Sequence, residues 1–590
     1  MADMTVQKTK LLNLSDAASN RGVYLLRRYS ARAGLLFCTL MLLVMLLLVL
    51  YPILLMVYSS FIVTADDGTS RFGLNAWIES WSQAGMWPAF INTFQRVIVT
   101  EIIAFPAALL IAWVVARTNI RGKKIIDSFF WIAFFLPTLP VLMGWILLFD
   151  PDYGLVNTAL VKIFGLSEGP FNIYSFTGII FAHLAARSVA AKYIFMAPAF
   201  RNLDSSMEEA AWVAGSSALQ TIRRIVIPVL TPAVLITLCI SLIHSLESFE
   251  VELILGAPIR FYVFSTKIYQ VIHEDPPLFG VATVLSLAIL LCMMPLILTQ
   301  QYLAANRRYT TVTSRSVNNL VNLGKFRAPF FYVLAAFGFC ITVVPLIFLF
   351  MGTFMALFGR FNLETTWTLR HWMAILTDRT LIGAIQNTLI IGLSAAIIGV
   401  VWYSLVAYIS VRTRFKARGA MDFLSWLPAA LPGVILGFAY LQMFLNVEIF
   451  QPLYGTIVVL IIAVMVNSIS TGVQLIKGNM VQLGFDLEEA SHVSGGSWLY
   501  TFRRIVLPLL APILISVMLI TFASATRQVS TIAMLVVGDT RPLAMLQVDN
   551  MIDGNFESAT VVGALIVLIT LFIALLARWI SRRVGFLSST

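Results

Sequence analysis

Residues 208–228 read EEAAWVAGSSALQTIRRIVIP, and residues 488–508 read EEASHVSGGSWLYTFRRIVLP. The two stretches lie 280 positions apart and keep one spacing of Glu-Glu-Ala, Gly, Arg-Arg-Ile-Val and Pro. Self-similarity at a fixed offset marks a duplicated architecture. Each copy sits between long apolar runs. The duplicated unit is therefore a membrane unit that presents one polar element.

Composition fixes the class. Mean hydropathy is +0.88, 59% of residues are hydrophobic and only 12% are charged, which excludes an ordinary soluble domain. Residues 35–63 and 330–359 carry no charge. A hydrocarbon core of roughly 30 Å takes about 20 apolar residues as a helix. Within lipid the backbone must satisfy its own hydrogen bonds, so runs of this length are helices. The pattern predicts twelve spans, near 35–58, 97–116, 127–149, 177–198, 228–246 and 279–303, then 329–353, 385–411, 421–446, 456–476, 508–526 and 559–578.

The duplication extends beyond the loops. Asn92-Thr93 matches Asn387-Thr388, Arg117-Thr118 matches Arg412-Thr413, Asp127 matches Asp422, Trp131 matches Trp426 and Pro137 matches Pro432, all at an offset of 295. Tyr153-Gly154 matches Tyr454-Gly455 at 301. Shifting offsets imply loop insertions on one shared plan. An even number of spans per unit makes the two halves parallel, with the pathway expected at their seam. The chain divides into a tail 1–34, a first repeat 35–303, a basic linker 304–328, a second repeat 329–580 and a tail 581–590.

Basic residues set the orientation. They crowd the N-terminal tail (Lys8, Lys10, Arg21, Arg27, Arg28, Arg32), the connections Arg117 to Lys124 and Arg412 to Arg418, and the linker (Arg307, Arg308, Arg315, Lys325, Arg327). The positive-inside rule places these segments, both termini and both loop copies in the cytoplasm. The formal charge of +11 reflects this bias and implies no nucleic-acid partner. The polar, basic residues ahead of the first span do not read as a cleaved signal. Cys38, Cys239, Cys292 and Cys340 fall apart from one another in apolar runs and predict neither a disulfide framework nor a metal site.

The repeated loop has the chemistry of a rigid docking element. Ser206-x-x-Glu209 fits a capping box, and Asp486 can cap the second copy with Glu489 behind it. Acids there face the positive end of a short helix. Ala210, Ala211 and Ala490 give a small face, while Gly215 and Gly495 let the chain turn sharply. An amphipathic loop lying on the bilayer is the plain alternative, but lipid has no use for two sets of matched glycines.

The pattern Glu-Ala-Ala, three residues, Gly, nine residues, Ile-x-Leu-Pro resembles the "EAA" loop of ABC importer permeases. Copy one supplies Glu209, Ala210, Ala211, Gly215, Ile225 and Ile227-Pro228, with Ile where Leu is usual. Copy two supplies Glu489, Ala490, Ser491, Gly495, Ile505 and Leu507-Pro508, with Ser replacing the second Ala. Two fused copies in one chain resemble the permeases of the ferric-iron and thiamine uptake systems, near those for polyamines, sulfate and aminoethylphosphonate.

That resemblance implies an all-α integral membrane protein of about twelve transmembrane helices, in two parallel six-helix repeats of the type I ABC importer permease fold. It also implies that each loop docks on one of two copies of a cytoplasmic ATP-binding subunit, which uses ATP and Mg. A periplasmic or extracellular solute-binding protein would deliver a small solute, and the location is the bacterial inner membrane. No GxxxxGK[ST] stretch occurs in the sequence, so this chain is expected to hydrolyse no ATP and to carry no cofactor or metal of its own. The fused layout favours ferric iron, with thiamine, polyamine or aminoethylphosphonate as alternatives.

Arg187, Glu247, Glu250 and Arg527 are the pathway candidates. Arg187 lies midway along a span, where a charge is costly unless it faces a partner or a water-filled cavity. Lys192 and His183 are its neighbours, and Glu101 is a possible counter-ion. Glu247, Glu250 and Glu252 follow the fifth span, and Glu247 corresponds to Arg527 at the loop offset, so these two are expected at the seam. Solvated outer-face carboxylates are the alternative, and His244 reads as packing. A secondary twelve-span transporter remains the rival class, separated by its lack of need for matched docking loops. The five widely spaced histidines offer no catalytic site.

Overall fold

The computed structural model describes residues 34–583 apart from 65–69, 84, 202, 204–206, 208–209, 212, 306–320, 362, 376 and 485. Among these residues, ten unbroken helices are long and apolar enough to cross a membrane. They are Gly34–Ser59, Met86–Arg117, Phe176–Arg201, Arg223–Leu246 and Phe279–Leu303, then Gly324–Gly352, Arg379–Arg412, Ile457–Gln482, Phe502–Arg527 and Phe556–Leu576. Each contains or closely overlaps a run expected from hydropathy. Met86–Arg117 starts well before residue 97 because Arg96, which interrupts the apolar pattern, is neutralised inside the protein.

The third and ninth runs are different. Each is a bent pair, Lys123–Phe135 with Thr138–Phe149 at 104° and Arg418–Ala430 with Gly433–Asn446 at 111°. The count of twelve therefore holds only when each pair is taken as one span. The bends fall at Leu136-Pro137 and Leu431-Pro432, where the residue before proline is extended (ψ 135° and 122°). Proline disfavours helical geometry in the residue before it, and its ring cannot accept a continuing helix. The matched prolines of the two repeats thus mark matched bends.

The leading helix of each repeat packs on the other repeat. Tyr440 Oη donates to the Leu48 carbonyl at 2.6 Å. Ser59 Oγ donates to Gln442 Oε1 at 2.7 Å, and Gln442 Nε2 donates to Thr283 Oγ1 at 2.8 Å. Gln442 is buried, so one amide of the second repeat bridges two spans of the first. In the reverse direction Gly324–Gly352 lies along Lys123–Phe135 and Thr138–Phe149, and Gly144 meets the backbone of Pro345. The sequence order of the repeats is therefore interlaced in space, over one continuous buried apolar core.

Chain tracing places both loops on one side. Val321, at the end of the linker, bridges to Thr118 beside Arg117, and Leu323 N–H donates to Asn119 Oδ1 at 3.1 Å. Gly324–Gly352 then leaves that face and Arg379–Arg412 returns to it. Arg117 and Arg412 end on the same face.

The opposite face carries short elements, among them the hairpin Ile62–Thr64 with Ser70–Phe72 and the helices Phe264–Ile272 and Leu543–Ile552. The repeated Asn-Thr pair holds these two helices. Thr93 and Thr388 accept from the N–H of Phe264 and Leu543 at 2.9 and 2.8 Å. Asn92 and Asn387 donate to the carbonyls of Tyr262 and Arg541 at 3.0 and 3.1 Å.

Candidate functional site

The two loops share one backbone design. Gly215 and Gly495 have φ of +80° and +83°, the left-handed region that glycine enters without cost. Ser216 N–H donates back to Ala211 O at 2.9 Å, and Gly496 N–H to Ser491 O at 2.8 Å. These are the long bonds of a Schellman turn, which closes a helix end. A new helix then starts at once. Ser217 Oγ accepts from Gln220 N–H at 3.4 Å while Gln220 Oε1 accepts from Ser217 N–H at 3.1 Å, a reciprocal capping box. Ser497 Oγ accepts from Tyr500 N–H at 3.3 Å. In both copies a π turn carries Arg-Arg into the next span, over Ile222–Val226 and Phe502–Val506.

In the second copy the loop helix is Asp486–Val493, with Asp486, Glu488 and Glu489 in its first turn. Asp486 is thus inside the helix, not its cap. Ser206, Glu208 and Glu209 of the first copy lie outside the described residues. Glu489 and Ala490 are exposed, as is Ala210, while Ser491 and Ala211 are buried against the bundle. Val213 and Val493, at equivalent positions, are 90% and 89% exposed. Each loop offers a small apolar tip to whatever lies beyond the bundle.

Arginines at the ends of the second and eighth predicted spans hold the loops. Arg412 Nη2 donates to the carbonyls of Met480 and Leu483 at 3.0 and 2.6 Å, and its Nε pairs with Glu488 at 3.0 Å. Tyr408 Oη also donates to Glu488, at 3.4 Å. Arg117 Nη1 donates to Leu203 O at 3.0 Å, the same contact one repeat earlier. The sequence singled out Glu489, but the anchoring acid is its neighbour Glu488. The matched Arg-Thr pairs were the visible signal of this clamp.

The second feature is a cavity of about 240 Å³. It lies among the spans Met86–Arg117, Phe176–Arg201 and Arg223–Leu246, and Ser530 of the second repeat completes its wall. Arg187, Glu247 and Glu250 all line it, so the sequence candidates converge. Arg187 sits in a π turn, Leu184–Ser188, a distortion frequent at functional sites. The equivalent helix Ile457–Gln482 is unbroken. Arg527 lies at the seam and donates to Phe135 O of the first repeat at 3.3 Å.

The pairings differ from expectation in three places. Glu247 pairs with His244 at 3.1 Å, while Arg527 lies in the field of Glu250 and Arg187. Glu101 pairs with Lys192 at 3.0 Å, not with Arg187. His244 lines the cavity, with its side chain 61% exposed, and does not serve as packing.

Glu252 is no outer-face carboxylate. It is fully buried and paired with Arg96 Nε at 2.9 Å and His183 Nε2 at 2.8 Å, and Ser248 Oγ donates to it at 2.6 Å. Arg96, also fully buried, donates to the Ser245 carbonyl at 2.5 Å and to Ser245 Oγ at 3.0 Å. Sequence reasoning missed Arg96. The available signal was a single cation, Arg96, inside an apolar stretch.

Among the described residues no group of three or more His, Cys, Asp or Glu side chains is arranged to hold a metal ion. The chemistry on offer is charge placement within a membrane bundle and two exposed loops at one face.

The family described as "Binding-protein-dependent transport system inner membrane component" matches residues 104–309 and again 404–586, together about two thirds of the chain. The chain is 28% identical over 494 residues to the ferric transport system permease protein FbpB of Actinobacillus pleuropneumoniae, covering 82% of this chain and 69% of that one. It is 30% identical over 456 residues to the putative ferric transport system permease protein FbpB 1 of Haemophilus influenzae, covering 75% and 69%. The molybdenum transport system permease protein ModB of Haemophilus influenzae matches over 175 residues at 31%, which is 29% of this chain and 70% of that one.

Proposed function

The chain belongs to the family of binding-protein-dependent transport system inner membrane components, and on that premise we propose that it is the membrane subunit of an ATP-driven importer of ferric iron. The ferric-transport relatives support iron as the first choice because they align over 82% and 75% of this chain, and so across both repeats. In this reading two copies of a cytoplasmic ATP-binding subunit, charged with ATP and Mg, each receive one loop. A periplasmic or extracellular solute-binding protein feeds the opposite face, and both termini lie on the loop side, as the Lys/Arg bias implies.

One observation carries the coupling role: equivalent arginines clamp equivalent loops on one face, Arg117 at Leu203 and Arg412 at Leu483. Each loop continues into a helix, Arg223–Leu246 or Phe502–Arg527, whose far end carries Glu247 or Arg527. A loop pulled by a closing ATP-binding subunit would tilt that helix and shift the charges at the seam. Exposed Ala210 and Ala490 allow close approach of the partner, and exposed Glu489 precedes Ala490.

Glu488→Ala tests this coupling. It leaves the Arg412 guanidinium without its acid, and removing one member of a largely buried pair is strongly destabilising locally. Uptake of radiolabelled ferric iron by cells that also express the partner subunits is expected to fall about tenfold or more, with normal amounts of the chain in the membrane. Wild-type uptake by this variant would contradict the coupling role. A wild-type assembly that imports another solute but no iron would remove iron and keep the importer.

A further inference from the structure

The two repeats hold equivalent cavities of different chemistry. A second cavity, of about 80 Å³, lies in the second repeat. At the offset of 280, Asn467 stands for Arg187, Gly472 for Lys192, Thr521 for Ser241 and Ser524 for His244. All eight line their respective cavities. Charge is gone from the second site, and so is space. The Tyr403 ring packs over Gly472, where an added Cβ would fall on it, and its hydroxyl is fixed to Met465 O at 2.6 Å. A side chain as long as lysine has no room at position 472.

In the first repeat the charges divide into committed and uncommitted groups. Lys192 is committed to Glu101 and to Ser188 Oγ at 2.6 Å, and Ser241 donates to the same Glu101 carboxylate at 2.9 Å. Glu252 is committed to Arg96 and His183, while Glu247 contacts His244 at 3.1 Å and also lies in the field of Arg187. Arg187 has no hydrogen bond or ion pair of its own among the described residues. Its guanidinium lies 5.0 Å from the centre of the Phe134 ring, and its side chain is exposed to the cavity although it lies midway along the helix Phe176–Arg201.

A cation at that depth is costly unless something polar faces it. A guanidinium presents a planar fork of donors matched to carboxylate, phosphate or sulfate oxygens. Arg527, from across the seam, lies close enough to act on Arg187 and adds positive potential at the same place. Glu250 lies in the field of both cations and Glu247 in that of Arg187, so charge at the cavity is balanced and what is left for a small anion is the guanidinium fork itself.

We propose that the first-repeat cavity is a solute site that holds its cargo through an oxyanion group on Arg187, and that the second repeat has lost the corresponding site. This rests on the importer reading for what passes through it. For ferric iron it means that the ion travels as a complex with an oxyanion ligand, through which the guanidinium would hold it.

The test uses the purified full-length chain in detergent and follows its thermal unfolding midpoint. Sodium sulfate, sodium phosphate, sodium citrate and ferric citrate are compared with sodium chloride at equal ionic strength. At least one oxyanion should raise the wild-type midpoint by about 2 °C or more. Arg187→Asn, which installs the second repeat's residue, should abolish the rise. Arg187→Lys should keep part of it and Asn467→Ala all of it. Arg187 holds no hydrogen-bond partner, and Arg527 still lies beside Glu250 when Arg187 is replaced.

A response to ferric citrate beyond that to citrate identifies the metal complex as cargo; equal responses identify the free anion. An unchanged rise in Arg187→Asn, loss of the rise in Asn467→Ala, no response of the wild type to any of these salts, or a response to phosphatidylglycerol micelles alone would each overturn the proposal. Import without an anion response would reject this site and leave the importer standing. An anion response in a chain that supports no ATP-driven uptake would do the reverse.

Discussion

Replacing Arg96 by isoleucine is expected to destabilise the protein by about 3–5 kcal/mol, and adding Glu252→Ile is expected to recover most of that loss. Both side chains are fully buried and lie 2.9 Å apart. Removing the cation leaves a carboxylate inside the bundle with only His183 and Ser248 to answer it. Removing both charges leaves apolar volume in an apolar place, which is often neutral or better.

The second repeat has already made that exchange. Ile391 and Ile532 occupy the equivalent positions, at the offsets of 295 and 280, and both are buried. The unfolding midpoint in detergent reads the effect, with the folded yield after membrane extraction as a second measure. A single variant as stable as wild type, or a double variant no better than the single, would show that the pair is not what holds Met86–Arg117 to the segment after Leu246.

The second large effect is expected at Gly144. A Cβ there would fall on the carbonyl of Pro345 and within 2.7 Å of its Cα. The obstacle is backbone in a packed helix, so Gly144→Leu is expected to cost at least the roughly 1–3 kcal/mol of ordinary overpacking. The contact joins the two repeats, so the variant should loosen their association more than their insertion. With a protease site placed in the linker 304–328, the cut wild-type halves should stay together in detergent and the cut Gly144→Leu halves should separate. Gly383→Leu is the control, since nothing stands within 4 Å of a Cβ there. Equal separation of both variants, or of neither, would contradict the role assigned to this contact.

Local features of the sequence survived well into the structure. Hydropathy found the ten unbroken spans because apolar length is a local property. Matched glycines in the loops are now seen as matched left-handed turns. The bends at Pro137 and Pro432 were visible as a repeated residue, but no run of apolar letters carries an angle. Interlacing of the leading helices depends on contacts such as Tyr440 with Leu48, which no periodicity encodes.

Charge pairing was the least legible part. Arg187, Glu247 and Glu250 line one cavity and Arg527 lies in the field of Arg187 and Glu250, but which acid serves which cation follows from helix rotation and from the π turn at Leu184–Ser188. Arg96 with Glu252 and Arg412 with Glu488 join distant parts of the chain. Their partners could be recognised only after the helices were packed.

Cysteine labelling of the two loop tips tests the central claim, that one face of this bundle presents two equivalent levers to an ATP-binding partner. Val213→Cys and Val493→Cys, each introduced where Cys38, Cys239, Cys292 and Cys340 have been replaced by serine, put a thiol at positions that are 90% and 89% exposed. A membrane-impermeant maleimide should label both from the cytoplasmic side only, and the bound ATP-binding subunit should protect both to the same degree. Labelling of the two positions from opposite sides of the membrane, or equal labelling with and without the ATP-binding subunit, would contradict the account.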